Sequence, residues 1–442
     1  MIHVEPHLQD VSLPANLRIN DQIREYRKRC EEEGCDAPYH HFAFGQSPFP
    51  PPPSVVAALA QNAKKHSYLP TAGLSELRDA VAAYHTRYFG VACSGEQVVC
   101  SPGSKEMIAV IMAAVTGPVI VPTPSWVSYI PQARILKKQV VDVRTHEKDG
   151  FKLTPDVLMR GMRDLASSQK ILILNHPNNP TGAVYTEDEL RELADVCRRE
   201  NVVVIADEIY ALTAFDLGTF TSMMKVYPEG TIVTGGLSKD RSGGGYRFGV
   251  GIFPKEPPAL LANVLKIAGS TYSCVAAPVQ HAALEAYSVS SSVDEYMRDC
   301  RAINTLAGRL ISRKLAALDG VKSTTPRGAF YLYVDFNQQA EQFKRLDLSS
   351  CAQFCENLLE VEHTALLPGD ALLLPPDDYS VRCSYVDYDG EKALSAWRER
   401  PPKNESDEMK FAQDHFEIML DGVSNIGRYI SEIRAGKRPA HG

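Results

Sequence analysis

The stretch KILILNHPNNPTG, residues 170–182, places four consecutive aliphatic residues directly before a cluster of Asn, Pro, Thr and Gly. An uninterrupted apolar run of this length suits a strand covered on both faces, where a half-buried strand would alternate. Working outward, six more short runs of the same kind occur: QVVCS (97–101), PVIVP (118–122), QVVDV (139–143), NVVVIAD (201–207), GTIVTG (230–235) and GVGIF (249–253). Helical patterns intervene at 105–116, 187–199 and 257–268. The second of these starts with Thr186 as N-cap and Glu189 three residues on, the capping-box spacing. Strands alternating with helices predict an α/β fold, doubly wound around a mostly parallel seven-stranded sheet.

A chain of 442 residues exceeds what one core usually supports, so two domains are expected. The larger is assigned to 65–300. The smaller, of α+β type, is assigned to both ends, 1–64 and 301–442, with strands in AFYLYVDF (329–336) and YSVRCSYV (379–386). The segment RERPPKNESDEMK (398–410) is charged and proline-containing, and reads as a solvated surface insertion. The first 40 residues read as a polar lead-in.

Composition excludes several classes. Lys and Arg number 47 against 54 Asp and Glu, a net charge of -7, without the basic excess a nucleic-acid partner would require. No run approaches the roughly 18 apolar residues of a membrane span, and the N-terminus lacks a signal-peptide pattern, so a cytoplasmic protein is expected. The ten cysteines are irregularly spaced. The close pairs Cys30/Cys35 and Cys351/Cys355 lack the further ligands of a zinc site, so free thiols and no metal are expected.

Three segments carry chemistry. Lys239 lies in GLSKDRSGGGYRFG (236–249), after the strand GTIVTG, between Ser238 and Arg247. A hydroxyl, a guanidinium and a glycine-rich backbone can together hold a phosphate beside an amine, although a lysine in such a loop is also compatible with a plain surface position. HPNNPTG and ADEIY (206–210) both follow predicted strands, and ligands of open α/β sheets bind at that carboxyl edge. Asp207 alone is equally compatible with a helix cap or an ion pair.

Taken in order, FGQSPFPPP (44–52), Tyr68 with GLSELR (73–78), PGSKE (102–106), PSWVSY (124–129), NHPNNPTG (175–182), DEIY (207–210), the Lys239 loop, PRGAFYLY (326–333) and VRCSY (381–385) resemble the class I/II aminotransferases over about residues 40–390. These are fold-type I enzymes that use pyridoxal 5'-phosphate. The resemblance implies that Lys239 forms the Schiff base and moves a proton at the substrate's Cα. Asp207 would face the pyridine nitrogen, and Asn179 and Tyr210 would hydrogen-bond the phenolic oxygen. Trp126 would stack on the ring, although it is also compatible with a core position. Gly103, Ser104, Lys105, Ser238 and Arg247 would surround the phosphate at a helix N-terminus. Tyr68 would reach the cofactor of a neighbouring subunit, implying a homodimer.

Arg382 would take the substrate α-carboxylate, with the backbone at Gly45 closing over it and Trp126 and Asn179 nearby. Lys105 has two further readings, contact with the distal carboxylate of an acidic substrate or a solvent-facing helix position. The expected partners are therefore an L-amino acid, aspartate or glutamate first and aromatic next, and a 2-oxo acid. A lyase, cyclase or oxidase on the same cofactor is the alternative, followed by a non-catalytic regulator. Arg241 and Tyr246 depart from the commoner form of the Lys239 loop and are expected to reshape the mouth of the site.

Overall fold

The computed structural model describes residues 3–9, 11, 15–34 and 38–437. A short strand β1 (His40–His41) precedes the strands of the large sheet: β2 (Val98–Ser101), β3 (Val119–Thr123), β4 (Val140–Arg144), β5 (Lys170–Asn175), β6 (Val202–Asp207), β7 (Thr231–Gly236) and β8 (Gly249–Ile252). Their order is β2-β8-β7-β6-β5-β3-β4. All pairings are parallel except the two that β8 makes with β7 and β2. Every residue of β2, β5, β7 and β8 is buried, as continuous apolar runs require. The helix Glu187–Arg199 starts at the expected cap: Thr186 accepts from Glu189 N while the Glu189 side chain accepts from Thr186 N. Such a box is worth about 1 kcal/mol.

Register brings chemistry to one edge. Asn175 pairs with Asp207, and Asp207 with Thr234, so three polar side chains on neighbouring strands stand at the same level, the first two at their strands' carboxyl ends. The second sheet, ordered β12-β13-β10-β9, comprises β9 (Lys322–Ser323), β10 (Tyr331–Asp335), β12 (Leu367–Pro368) and β13 (Ser380–Ser384). It is antiparallel throughout. β1 pairs in parallel with β11 (Thr364–Ala365), which ties the N-terminal segment to the C-terminal third.

Two segments read as polar in the sequence carry helices. The lead-in contains a helix, Ala15–Glu33, whose Ile19, Ile23 and Tyr26 enter an apolar cluster with Val127, Leu359 and Leu367. Three apolar residues at helical spacing suffice to dock a helix that is otherwise polar. The charged segment 398–410 is exposed or half-buried throughout, as a solvated insertion requires, and from Glu405 it enters the helix Glu405–His415, capped by Asn404 accepting from Asp407 N. This helix buries Phe411 and Ala412, with Phe411 edge-on to Trp397 at 5.3 Å. Cys93, Cys100, Cys197, Cys274, Cys300, Cys351, Cys355 and Cys383 are free thiols, and Cys35 lies outside the described residues. Among the described residues no helix is long and apolar enough to cross a membrane.

Candidate active site

A cavity of about 350 Å³ opens at the carboxyl ends of the central strands, with wall residues from both sheets. Of the sequence-predicted residues, Gly45, Ser104, Lys105, Trp126, Asn179, Asp207, Tyr210, Ser238, Lys239, Arg247 and Arg382 line it. Gly103 and Tyr68 do not. Its charged side chains are four cations, Lys105, Lys239, Arg247 and Arg382, and one carboxylate, Asp207. Such an imbalance in a confined space favours a polyanionic occupant.

Asp207 ends β6 and is buried. Tyr129 Oη donates to its Oδ2 at 2.6 Å, and Thr234 Oγ1 donates to its Oδ1 at 3.2 Å. Burial raises its pKa, against the lowering effect of these two donors and the Lys239 charge. Lys239, three residues past β7, donates from Nζ to the Gly45 carbonyl at 2.8 Å and lies 5.5 Å from the Tyr210 ring centroid. Glycine is required at position 45, where a Cβ would fall 2.0 Å from Tyr331 Oη.

At the other wall, Gly103 (φ 98°) precedes the helix Ser104–Ala114 without a side-chain cap. Its missing side chain leaves room for Arg247, whose Nη2 would lie 2.4 Å from a Cβ there. Arg247 donates to the carbonyls of Gly244 at 2.8 Å and Pro102 at 3.3 Å, which fixes the guanidinium beside uncapped helix N–H groups. Helix N–H groups, Ser104, Ser238 and Arg247 thus form an anion cradle. Lys105 Nζ sits 5.0 Å from the centroid of Trp126, whose ring is edge-on to Tyr129. Burial, then the charges of Arg247 and Lys239, lower the Lys105 pKa.

Arg382, buried on β13, donates from Nη2 to Ala43 O at 2.7 Å and from Nη1 to Asn179 Oδ1 at 3.2 Å. Its Nε finds no acceptor among the described residues, an orphan donor in a cavity wall. Asn179, its backbone N–H held by Asn175 Oδ1 at 2.6 Å, keeps its amino group as the end that can donate to a ligand.

Tyr68 is 92% exposed and touches no part of this chain's cavity. Arg241 does not shape the mouth. It is 2% exposed, sandwiched between Tyr84 and Tyr287 at 4.7 and 4.3 Å and paired with Asp240, because two flat rings and a carboxylate compensate for its burial. Tyr246 packs against the core and is no part of the cavity wall. Tyr129, Thr234, Asn175 and Tyr331 are site residues that sequence reasoning missed. Tyr129 and Tyr331 stood inside quoted motifs, whereas Thr234 becomes visible only through the β6–β7 register.

The family model for aminotransferases of class I and II matches residues 38–390. Among curated proteins, the aspartate aminotransferase of Bacillus subtilis is 29% identical over 354 residues, 77% of this chain and 85% of that one. The aspartate/prephenate aminotransferase of Thermus thermophilus is 32% identical over 315 residues, 71% of this chain and 77% of that one. The solved structure of a Thermus thermophilus aspartate aminotransferase with maleate superposes with a TM-score of 0.78 at 25% identity, covering 97% of this chain and 100% of that one.

Proposed function

The chain belongs to the class I and II aminotransferases, whose cofactor is pyridoxal phosphate, and from that membership we propose a transaminase of acidic amino acids and 2-oxo acids working through Lys239. The observation that carries the reading is the convergence of Lys239, Asp207 and Arg382 on one cavity. The residues present fit the cofactor: an anion cradle at one end, a buried carboxylate at the other, and an amine between the walls.

When bound, pyridoxal phosphate supplies an aldehyde that condenses with amines and a cationic ring that accepts the electron pair left at Cα. The helix start, Ser104, Ser238 and Arg247 would hold the phosphate. Asp207, whose charged form Tyr129 and Thr234 favour against the effect of burial, would hold a proton at the ring nitrogen. Tyr210 and Asn179 would donate toward the phenolic oxygen. Arg382 orients the substrate by its α-carboxylate, and Trp126 bounds the ring face. Lys239 would take the proton from the substrate's Cα at Nζ and return it on the far side of the amine nitrogen, two bonds away.

The acidic preference rests on Lys105, a partly desolvated cation on the same wall that is free of any carboxylate partner within the described chain. A relative of similar fold was solved with maleate, a dicarboxylate. We also propose a homodimer in which the exposed Tyr68 serves the partner's site, and a division into a large unit, 65–300, and a smaller unit from 1–64 and 301–442. The β1–β11 pairing supports the latter.

The test is the half-reaction. Purified protein is mixed with single amino acids, without an oxo acid, while cofactor absorbance and released products are followed. One 2-oxo acid per site with loss of the visible band is expected. Continuous release of ammonia with the band retained would move the reaction to elimination or oxidation.

A further inference from the structure

Tyr331 belongs to none of the roles above, yet it stands at the meeting point of three of them. It lies at the start of β10, is 1% exposed, and lines the cavity. Its hydroxyl is 2.9 Å from Tyr210 Oη and 3.3 Å from the Gly45 carbonyl, which also accepts from Lys239. The guanidinium carbon of Arg382 sits 4.5 Å from its ring centroid.

A phenol has one proton to donate. If Tyr331 gives it to Gly45, the short contact with Tyr210 requires Tyr210 to donate to Tyr331, which leaves Tyr210 without a proton for a ligand. If Tyr331 donates to Tyr210, then Tyr210 is free to donate into the cavity, and Gly45 keeps only its bond from Lys239. The two patterns are exclusive, and the second is the one a bound phenolate oxygen selects.

Resting on the transaminase reading, we propose that Tyr331 is a positioning residue with two separable actions. Its hydroxyl sets the donor direction of Tyr210 toward the cofactor's phenolic oxygen, and its ring supports Arg382 for the substrate carboxylate. The hydroxyl action strengthens Tyr210 as a donor, because an oxygen that accepts one hydrogen bond donates the next more strongly.

A donor at the phenolic oxygen competes for that oxygen's negative charge with the neighbouring nitrogen, so the nitrogen's proton leaves at lower pH. The experiment measures the pH midpoint of the visible absorbance change in cofactor-loaded wild-type, Tyr331→Phe, Tyr210→Phe and double-variant protein, together with KM and kcat. Tyr331→Phe is expected to raise the midpoint by about half a pH unit, less than Tyr210→Phe does, and the double variant to match Tyr210→Phe alone.

KM for the amino acid should stay within about twofold in Tyr331→Phe, which keeps the ring, and rise roughly tenfold in Tyr331→Leu, which removes it. A midpoint unchanged in Tyr331→Phe, or shifts that add in the double variant, overturns the donor-direction claim. An unchanged KM in Tyr331→Leu overturns the Arg382 claim. Absence of any cofactor band in wild-type protein would overturn the transaminase reading along with this one, whereas an unshifted band overturns this one alone.

Discussion

Arg382, on the four-stranded sheet, donates from Nη1 to the carboxamide oxygen of Asn179, 3.2 Å away on the loop that leaves the seven-stranded one. One hydrogen bond thus joins the group assigned to the substrate carboxylate to a group assigned to the cofactor. Replacing the planar fork by a point charge removes paired donation at this position. Arg382→Lys should lower kcat/KM for the amino acid by about 30- to 100-fold, chiefly through KM, with cofactor content unchanged. Steady-state kinetics beside a cofactor titration checks this.

Tyr129 makes the shorter of the two side-chain hydrogen bonds to Asp207. Tyr129→Phe removes one hydrogen bond to a buried carboxylate, a loss of about 1.5–3 kcal/mol at that group. The Asp207 pKa should rise, and kcat should fall by about tenfold or more while Arg382-dependent KM changes little. Single-turnover rates as a function of pH would show the change.

Lys105→Met separates the readings of that cation. If it meets a distal carboxylate, kcat/KM for aspartate falls about 100-fold and that for phenylalanine changes little. Equal losses for both would assign Lys105 to the phosphate instead.

Glu208, next to Asp207 in sequence, is fully buried and accepts from Ser222 Oγ at 3.0 Å and Met223 N at 2.9 Å, both on Oε1. Burial pushes its pKa up to about 8 from 4.5. A carboxyl whose folded pKa is raised is ionised first in the unfolded chain, so it costs stability progressively as pH rises from about 4.5 to 8. Glu208→Gln keeps the acceptor and loses this penalty. Its melting temperature should exceed that of the wild type increasingly across that window, and thermal melts at pH 5, 6.5 and 8 would show the trend or its absence.

Much of this was readable from the chain. The central strands announced themselves because a strand buried on both faces cannot alternate, whereas the edge strand β4 buries only Val143, and Thr186 with Glu189 marked its helix because capping chemistry is local. Lys239 and Asp207 stood out because each follows or ends such a strand, and Asn179 and Arg382 through the ordered motifs that resemble the family. What escaped depends on tertiary register or on sparse patterns. Thr234 reaches Asp207 only through the β6–β7 pairing, and Tyr331 meets Gly45 across 286 positions of sequence. Arg241 was read as shaping the mouth of the site because nothing local reveals two tyrosines 157 and 46 residues away. The helices at 15–33 and 405–415 hide their few buried residues among charges.

The central claim is that Lys239 is the amine that binds the cofactor covalently. Borohydride reduction of the loaded protein, then proteolysis and mass spectrometry, tests it most directly. The account predicts that the reduced cofactor is found on the peptide carrying Lys239, and that Lys239→Ala protein shows neither that adduct nor turnover. A cofactor adduct on another lysine, or turnover retained in Lys239→Ala, would contradict it.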